Sequence, residues 1–207
     1  MINLLRYVFP IHRVKYTNKA IKVLIISDTI FFSGMALVEV VFSVFIVSKI
    51  AGASVVNVGV GNAIFMLGVL ISEPFISKYY DVSRDVNSAF HGFLFGNLLK
   101  SAFRLIFVFI SSINMFYVVY FVLVIVHSIE YPAFAKIFSQ HLDKGYESSD
   151  WGIKDIFMSL GKLLTFFVSG YIAVIYGYNA LFILSAIIMF LFGFVLPLVY
   201  RKEFIQV

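Results

Sequence analysis

A chain of 207 residues that is 61% hydrophobic and 13% charged cannot dress itself in the polar shell of a soluble domain, where about 25% charged is usual. A bilayer removes that need, because lipid tails solvate apolar side chains. The lack of cysteine excludes disulfides and thiolate chemistry, and a net charge of +5 reads as topology-setting basic loops rather than a nucleic-acid surface.

Taken in order, Met1 to Lys22 is a basic leader carrying Arg6, Arg13, Lys15, Lys19 and Lys22. No A-x-A cleavage site follows, so it reads as a cytoplasmic tail before a retained first span. Tyr7-Val8-Phe9-Pro10 suits either a short interfacial turn or plain tail. The first span is expected at roughly Val23 to Ile46, enough to cross about 30 Å of hydrocarbon. It carries Asp28 and Glu39, whose spacing places them within about 20° of one helical stripe. The second span, roughly Val55 to Ser77, offers small surfaces at Gly59, Gly61, Ala63 and Gly68 for close helix approach. Glu73 and Pro74 lie near its end. The polar hinge runs from Glu73 through Ser77, Asp81 and Arg84 to Asp85.

The third span, roughly Ala89 to Ile110, holds Lys100 and Arg104 on one face. Mid-span cations need a partner or water. The short turn Ser111-Ser112-Ile113-Asn114 makes the next span an antiparallel neighbour. That fourth span, roughly Met115 to Phe138, places His127 and Glu130 on one face, and Pro132 is expected to kink or end it. Gln140 to Asp150 is the longest loop. The fifth span, roughly Ile153 to Tyr176, bears Lys154 and Asp155 near its start and Lys162 further in. These read as snorkelling anchors, with Asp155 also able to cap the helix or pair with Arg84. Tyr176-Gly177-Tyr178-Asn179 is a tight turn before the sixth span, roughly Ala180 to Val199, which Arg201, Lys202 and Glu203 close. The 25 Phe and 12 Tyr suit lipid-facing surface and interfacial belts.

With the N-terminus inside, the cytoplasmic segments hold 12 of the 16 Lys and Arg, and the opposite loops hold only Lys49. Such a bias predicts six spans with both termini cytoplasmic. The expected fold is an all-α integral membrane protein with a leader (1–22), a six-helix transmembrane domain (23–200) and a cytoplasmic tail (201–207).

Pro74 followed seven residues later by Asp81 resembles the loop between the second and third helices of the major facilitator superfamily, P-x-x-G-x-x-x-D-R-x-G-R. Ser77 stands at the first glycine, Val82 at the basic residue and Arg84 at the second glycine. Gly96-Asn97-Leu98-Leu99 and Glu130-Tyr131-Pro132 are similar to the family's third and fourth helices. Ser159-Leu160-Gly161, Ser169-Gly170-Tyr171 and Tyr176-Gly177-Tyr178-Asn179 are similar to its fifth helix and the turn into its sixth.

The resemblance implies half of a twelve-helix fold, most like the N-terminal half. A second copy, a separate six-helix partner or the rest of a longer gene would complete it. It implies secondary, proton-coupled transport of a small solute by alternating access at a cell (inner) membrane. Its first and fourth helices would line the cavity. Asp28 and Glu39 would then meet protons or cations, or else pair with Lys100 or Arg104. Lys100 and Arg104 would contact an anion, or form internal ion pairs. His127 and Glu130 would form a proton relay, or a structural bond. Pro74, Ser77, Asp81 and Arg84 would form a cytoplasmic gate working against the other half.

No metal is expected, since one His–carboxylate pair offers too few ligands. No cofactor and no enzyme activity are expected either, because no catalytic or phosphate-cradling motif is present. The expected partners are the bilayer, a solute and a second six-helix unit, not nucleic acid. The competing reading is a non-transporting half that binds or stabilises a partner membrane protein. Internal pairing of Glu39, Lys100 and Arg104 would favour it. Exposure of these three on an open concave surface would favour transport.

Overall fold

The structure is a computed structural model, and it describes residues 17–83 and 85–205. Most of the basic leader and Arg84 of the expected gate lie outside the described residues.

Among the described residues, five helical stretches are long and apolar enough to cross a membrane: Lys19–Lys49, Val55–Val82, Val86–Phe109, Ile113–Gln140 and Glu147–Val199. Their boundaries follow from local chemistry. Helix α1 (Lys19–Lys49) starts where the Asn18 side chain accepts from the Ile21 N–H at 2.9 Å. Helix α2 (Val55–Val82) starts where Asn57 Oδ1 accepts from the Ser54 N–H at 2.8 Å. Helix α3 (Val86–Ile106) is capped by Asp85, which accepts from the Asn87 N–H at 2.9 Å, and it tightens into a 3₁₀ turn at Phe107–Phe109. Ser112 caps helix α4 (Ile113–Gln140) through the Met115 N–H at 3.3 Å.

The last stretch has 53 residues and would be about 80 Å long if straight. It is not straight, because Gly177 has φ 79° and ψ 168°. We label the arms α5 (147–176) and α6 (178–190). Going up α5, Lys154 meets Asp28, Gly161 meets Thr29 and Ser33, and the Ser169 hydroxyl donates to the Leu37 carbonyl at 2.6 Å. Going along α6, Phe182 meets Phe45, and the Ser185 hydroxyl donates to the Gly34 carbonyl at 2.6 Å. The Ser27 hydroxyl then donates to the Phe192 carbonyl at 2.7 Å. Contacts thus climb α1 and then descend it, so the chain reverses at Gly177.

Beyond α6 a π turn (Leu191–Val195) passes into a last helical turn, Leu196–Val199. A π turn displaces the helical carbonyl bonds. Here Ser27 takes the Phe192 carbonyl, and the Asn97 amide donates to the Gly193 carbonyl at 3.0 Å. Helix α7 (Arg201–Ile205) closes the described chain, with Glu203 2.6 Å from Lys19 on α1.

Helix α1 packs on α5 and α6, while α4 packs on both α2 and α3. Small residues set the second contact. A side chain at Gly68 would collide with Val124, and a Cβ at Gly96 would sit 3.1 Å from Glu130 Cα. The Ser72 and Ser128 hydroxyls bond at 2.6 Å between α2 and α4.

Two expectations are corrected. The hinge is much shorter than Glu73 to Asp85: α2 runs through Pro74 to Val82, leaving only residues 83–85 between helices. Pro132 lies inside α4, which continues to Gln140, close to the expected end at Phe138. Membrane helices tolerate interior proline because surrounding groups re-satisfy the freed backbone. Many phenylalanines also pack inward rather than toward lipid. Phe45 and Phe182 have ring centroids 4.8 Å apart, and Phe107 stacks on Phe182 at 5.7 Å. Such ring pairs contribute packing energy beyond area burial.

Gly177 occupies a backbone region that side-chain-bearing residues reach only at about 1–3 kcal/mol. Gly177→Ala is therefore expected to lower the unfolding midpoint in detergent. Gly59→Ala adds a Cβ with nothing within 4 Å, so it is expected to leave the midpoint unchanged or slightly raised.

Candidate functional site

Charged side chains inside an apolar bundle must find each other or water. Two pairs in this bundle are dry. Asp28 is 3% exposed and Lys154 7%, and Lys154 Nζ lies 3.4 Å from Asp28 Oδ2. The same ammonium sits 5.2 Å from the Phe134 ring centroid and 5.5 Å from that of Trp151. Lys154 is therefore no snorkelling anchor. Helix α5 starts at Glu147, which carries Lys154 about two turns inward. Asp28 is paired with α5 rather than with Lys100 or Arg104.

The second dry pair joins α3 to α4, where the Lys100 ammonium donates to Glu130 Oε2, both residues being buried. Gly96, one turn before Lys100, lets the two backbones approach closely enough for this bond. Lys100 Nζ also lies 3.2 Å from His127 Nδ1. An ammonium can only donate. His127 Nδ1 is therefore the acceptor, and the ring proton sits on Nε2. The expected His127–Glu130 relay thus has Lys100 between its members.

Above this pair a cavity of about 410 Å³ gathers Glu39, Lys100, Arg104 and His127. Four of the six residues singled out for the cavity meet there. Asp28 and Glu130 do not line it. Glu39 is exposed, and its carboxylate is 3.8 Å from Lys162. Lys162 also sits 5.5 Å over the Phe32 ring, again facing the bundle rather than a membrane surface. Sequence reasoning missed Asn62, Tyr120 and Phe65 on the wall. Asn62 is an amide two turns inside an apolar stretch, beyond Asn57 in its first turn, and was the available signal. Tyr120 and Phe65 are hidden among many other aromatics.

The gate residues separate. Ser77 and Asp81 line a second hollow of about 600 Å³ beside Tyr80 and Lys136. Pro74 is exposed and outside that lining. Lys136, which the sequence reading counted only as a loop charge, donates to the Tyr80 and Ser83 carbonyls. A cation there satisfies the open end of α2 and complements its dipole. Among the described residues no group of three or more His, Asp or Glu is placed to hold a metal.

An all-helical chain with several membrane-length apolar helices and charges gathered in an internal cavity defines a multi-pass integral membrane protein. The chain belongs to the Major Facilitator Superfamily, whose sequence model matches residues 24–204. Members of that family are transporters, and the chain is a membrane transporter of the major facilitator type. No curated protein and no solved structure matches it.

Removing one partner of a buried ion pair strands the other charge, at a cost of about 3–5 kcal/mol. Asp28→Ala and Lys154→Ala are each expected to lose about that much stability in denaturant titrations in maltoside micelles. The double change Asp28→Leu with Lys154→Met fills similar volume without charge, and it is expected to recover most of the loss.

Proposed function

We propose that the chain is one six-helix half of a secondary transporter, working with a second six-helix unit by alternating access. The observation that carries this reading is the exposure of Glu39 and Asn62 at the mouth of the cavity, deep within apolar helices. Lipid is a costly neighbour for a mid-span carboxylate. A second unit, enclosing water and solute, is the neighbour that fits. A second copy of this chain supplies it most simply, by two-fold symmetry. The reversal at Gly177 supports a reading of six spans. The excess of basic residues on one side supports cytoplasmic termini and insertion in a cell membrane. The driving ion is a proton, for which Glu39 is the exposed titratable carboxylate. Asp81, exposed beside the second hollow, works as a gate residue against the second unit.

A scaffold without transport draws its support from Lys100, whose charge Glu130 absorbs inside the chain. Glu39 adds to that support through Lys162, 3.8 Å away, but it is exposed to the cavity, and Arg104 faces the cavity with no carboxylate in ion-pair distance among the described residues, which weighs the other way.

The test is reconstitution. Mass measurement in detergent is expected to give twice the mass of one chain. Proteoliposomes with a trapped pH dye are expected to show proton flux on addition of pooled sugars, amines or carboxylates. Glu39→Gln is expected to cut that flux about tenfold or more, and Asp81→Ala to lower the dimer fraction or the flux with insertion intact. A strictly monomeric protein that moves none of the pools would overturn the reading.

A further inference from the structure

We infer that the cavity takes an amphiphilic organic anion, a carboxylate on an apolar body, with Arg104 as the anchor for its head group. The inference rests on the transport reading of the same cavity and adds the substrate class.

The argument is a charge count by pairs. Among the described residues, Lys136 spends its charge on two helix-end carbonyls, and of the other four cations within the bundle three have carboxylates. Lys154 is 3.4 Å from Asp28, Lys162 is 3.8 Å from Glu39, and Lys100 is bonded to Glu130. Among the described residues no carboxylate comes within ion-pair distance of Arg104. The pairing therefore leaves one positive charge, and it sits on the cavity wall. A guanidinium in the middle of an apolar bundle is costly until oxygen atoms reach it. Its planar fork of N–H donors matches a carboxylate through two parallel bonds.

The remaining polar groups agree. His127 gives its Nδ1 lone pair to Lys100, so the proton it has left to offer is on Nε2. Asn62 and Tyr120 add an amide and a hydroxyl to the same lining. Among the described residues Glu39 is the one carboxylate on this wall, and it lies 3.8 Å from Lys162, so a cationic solute would compete with Lys162 for it and leave Arg104 unmatched. The body of the solute is set by Phe32, Phe65, Met35 and Met66, which supply rings and adaptable thioethers. A cavity of about 410 Å³ falls in the range of small-molecule sites.

The test is equilibrium binding to the purified full chain in neutral maltoside micelles. Phenylbutyrate, phenylbutylamine and phenylbutanol share one body and differ in head group. Isothermal titration is expected to show the carboxylate binding about tenfold or more tighter than the amine or the alcohol. Arg104→Gln is expected to weaken carboxylate binding about tenfold or more and to erase the preference. Arg104→Lys keeps the charge but loses the fork, and it is expected to fall between the two. Each variant's unfolding midpoint reports whether it folds. Where Arg104→Gln does not fold, Arg104→Lys decides: weakened carboxylate binding supports the site, and unchanged binding overturns it. Equal or tighter binding of the amine, unchanged affinity in Arg104→Gln, or no binding of any probe also overturns it. Binding needs neither a second unit nor a gradient. Carboxylate binding without flux in liposomes would sink the transport reading and leave this site standing. Flux of amines without carboxylate binding would do the reverse.

Discussion

The bond between Lys100 and Glu130 is the interaction on which the middle of the molecule depends. Neither group tolerates an apolar bundle alone, so each fixes the helix face the other must meet. The bond needs α3 and α4 close together, and Gly96 provides that closeness. It uses the charge of Lys100 and the Nδ1 acceptor of His127, which sets the ring's tautomer. Arg104, one turn further along α3, is left on the cavity wall with no carboxylate of its own. A single pair thus positions two helices, orients a histidine and singles out a cation.

The pair between Asp28 and Lys154 does similar work at another level of the bundle. Helix α1 is the common wall of α5 and α6, and hydroxyls of Ser169 and Ser185 bond to its carbonyls from either arm. Nonpolar contact is weakly directional where lipid is as apolar as the helices. Hydrogen bonds and ion pairs supply the register that apolar contact leaves loose. The phenylalanine clusters then fill the space that this register defines.

The apolar runs, the positive-charge bias and the family likeness of the hinge could all be read along the chain, because each is a property of a local segment. Partner choice could not. A spacing of three or four residues says that His127 and Glu130 share a face, but not that Lys100 of another helix comes between them. Lys154 lies early in its span and so resembles an anchor. Only the start of α5 at Glu147 shows it to be inside. Pro74 and Pro132 signal breaks in a soluble protein, yet both lie inside unbroken helices here. Asn62 carried a legible signal, being an amide well inside an apolar run, whereas Tyr120 was one tyrosine among 12.

The three ion pairs that join helices within the bundle are not equivalent, and their differences separate enclosed charges from open ones. Asp28 with Lys154 and Lys100 with Glu130 are enclosed, so exchanging partners there would strand a charge in a medium that cannot solvate it. Glu39 with Lys162 is looser, at 3.8 Å, and Glu39 is exposed. A loose, wet pair can be opened at small cost. A transporter must bind and release its solute, so its working charges belong among those whose partners can change. Enclosed pairs hold the cavity's shape. On the proposed transport reading, Glu39 and Arg104, which line the same cavity, are the charges that answer what enters it.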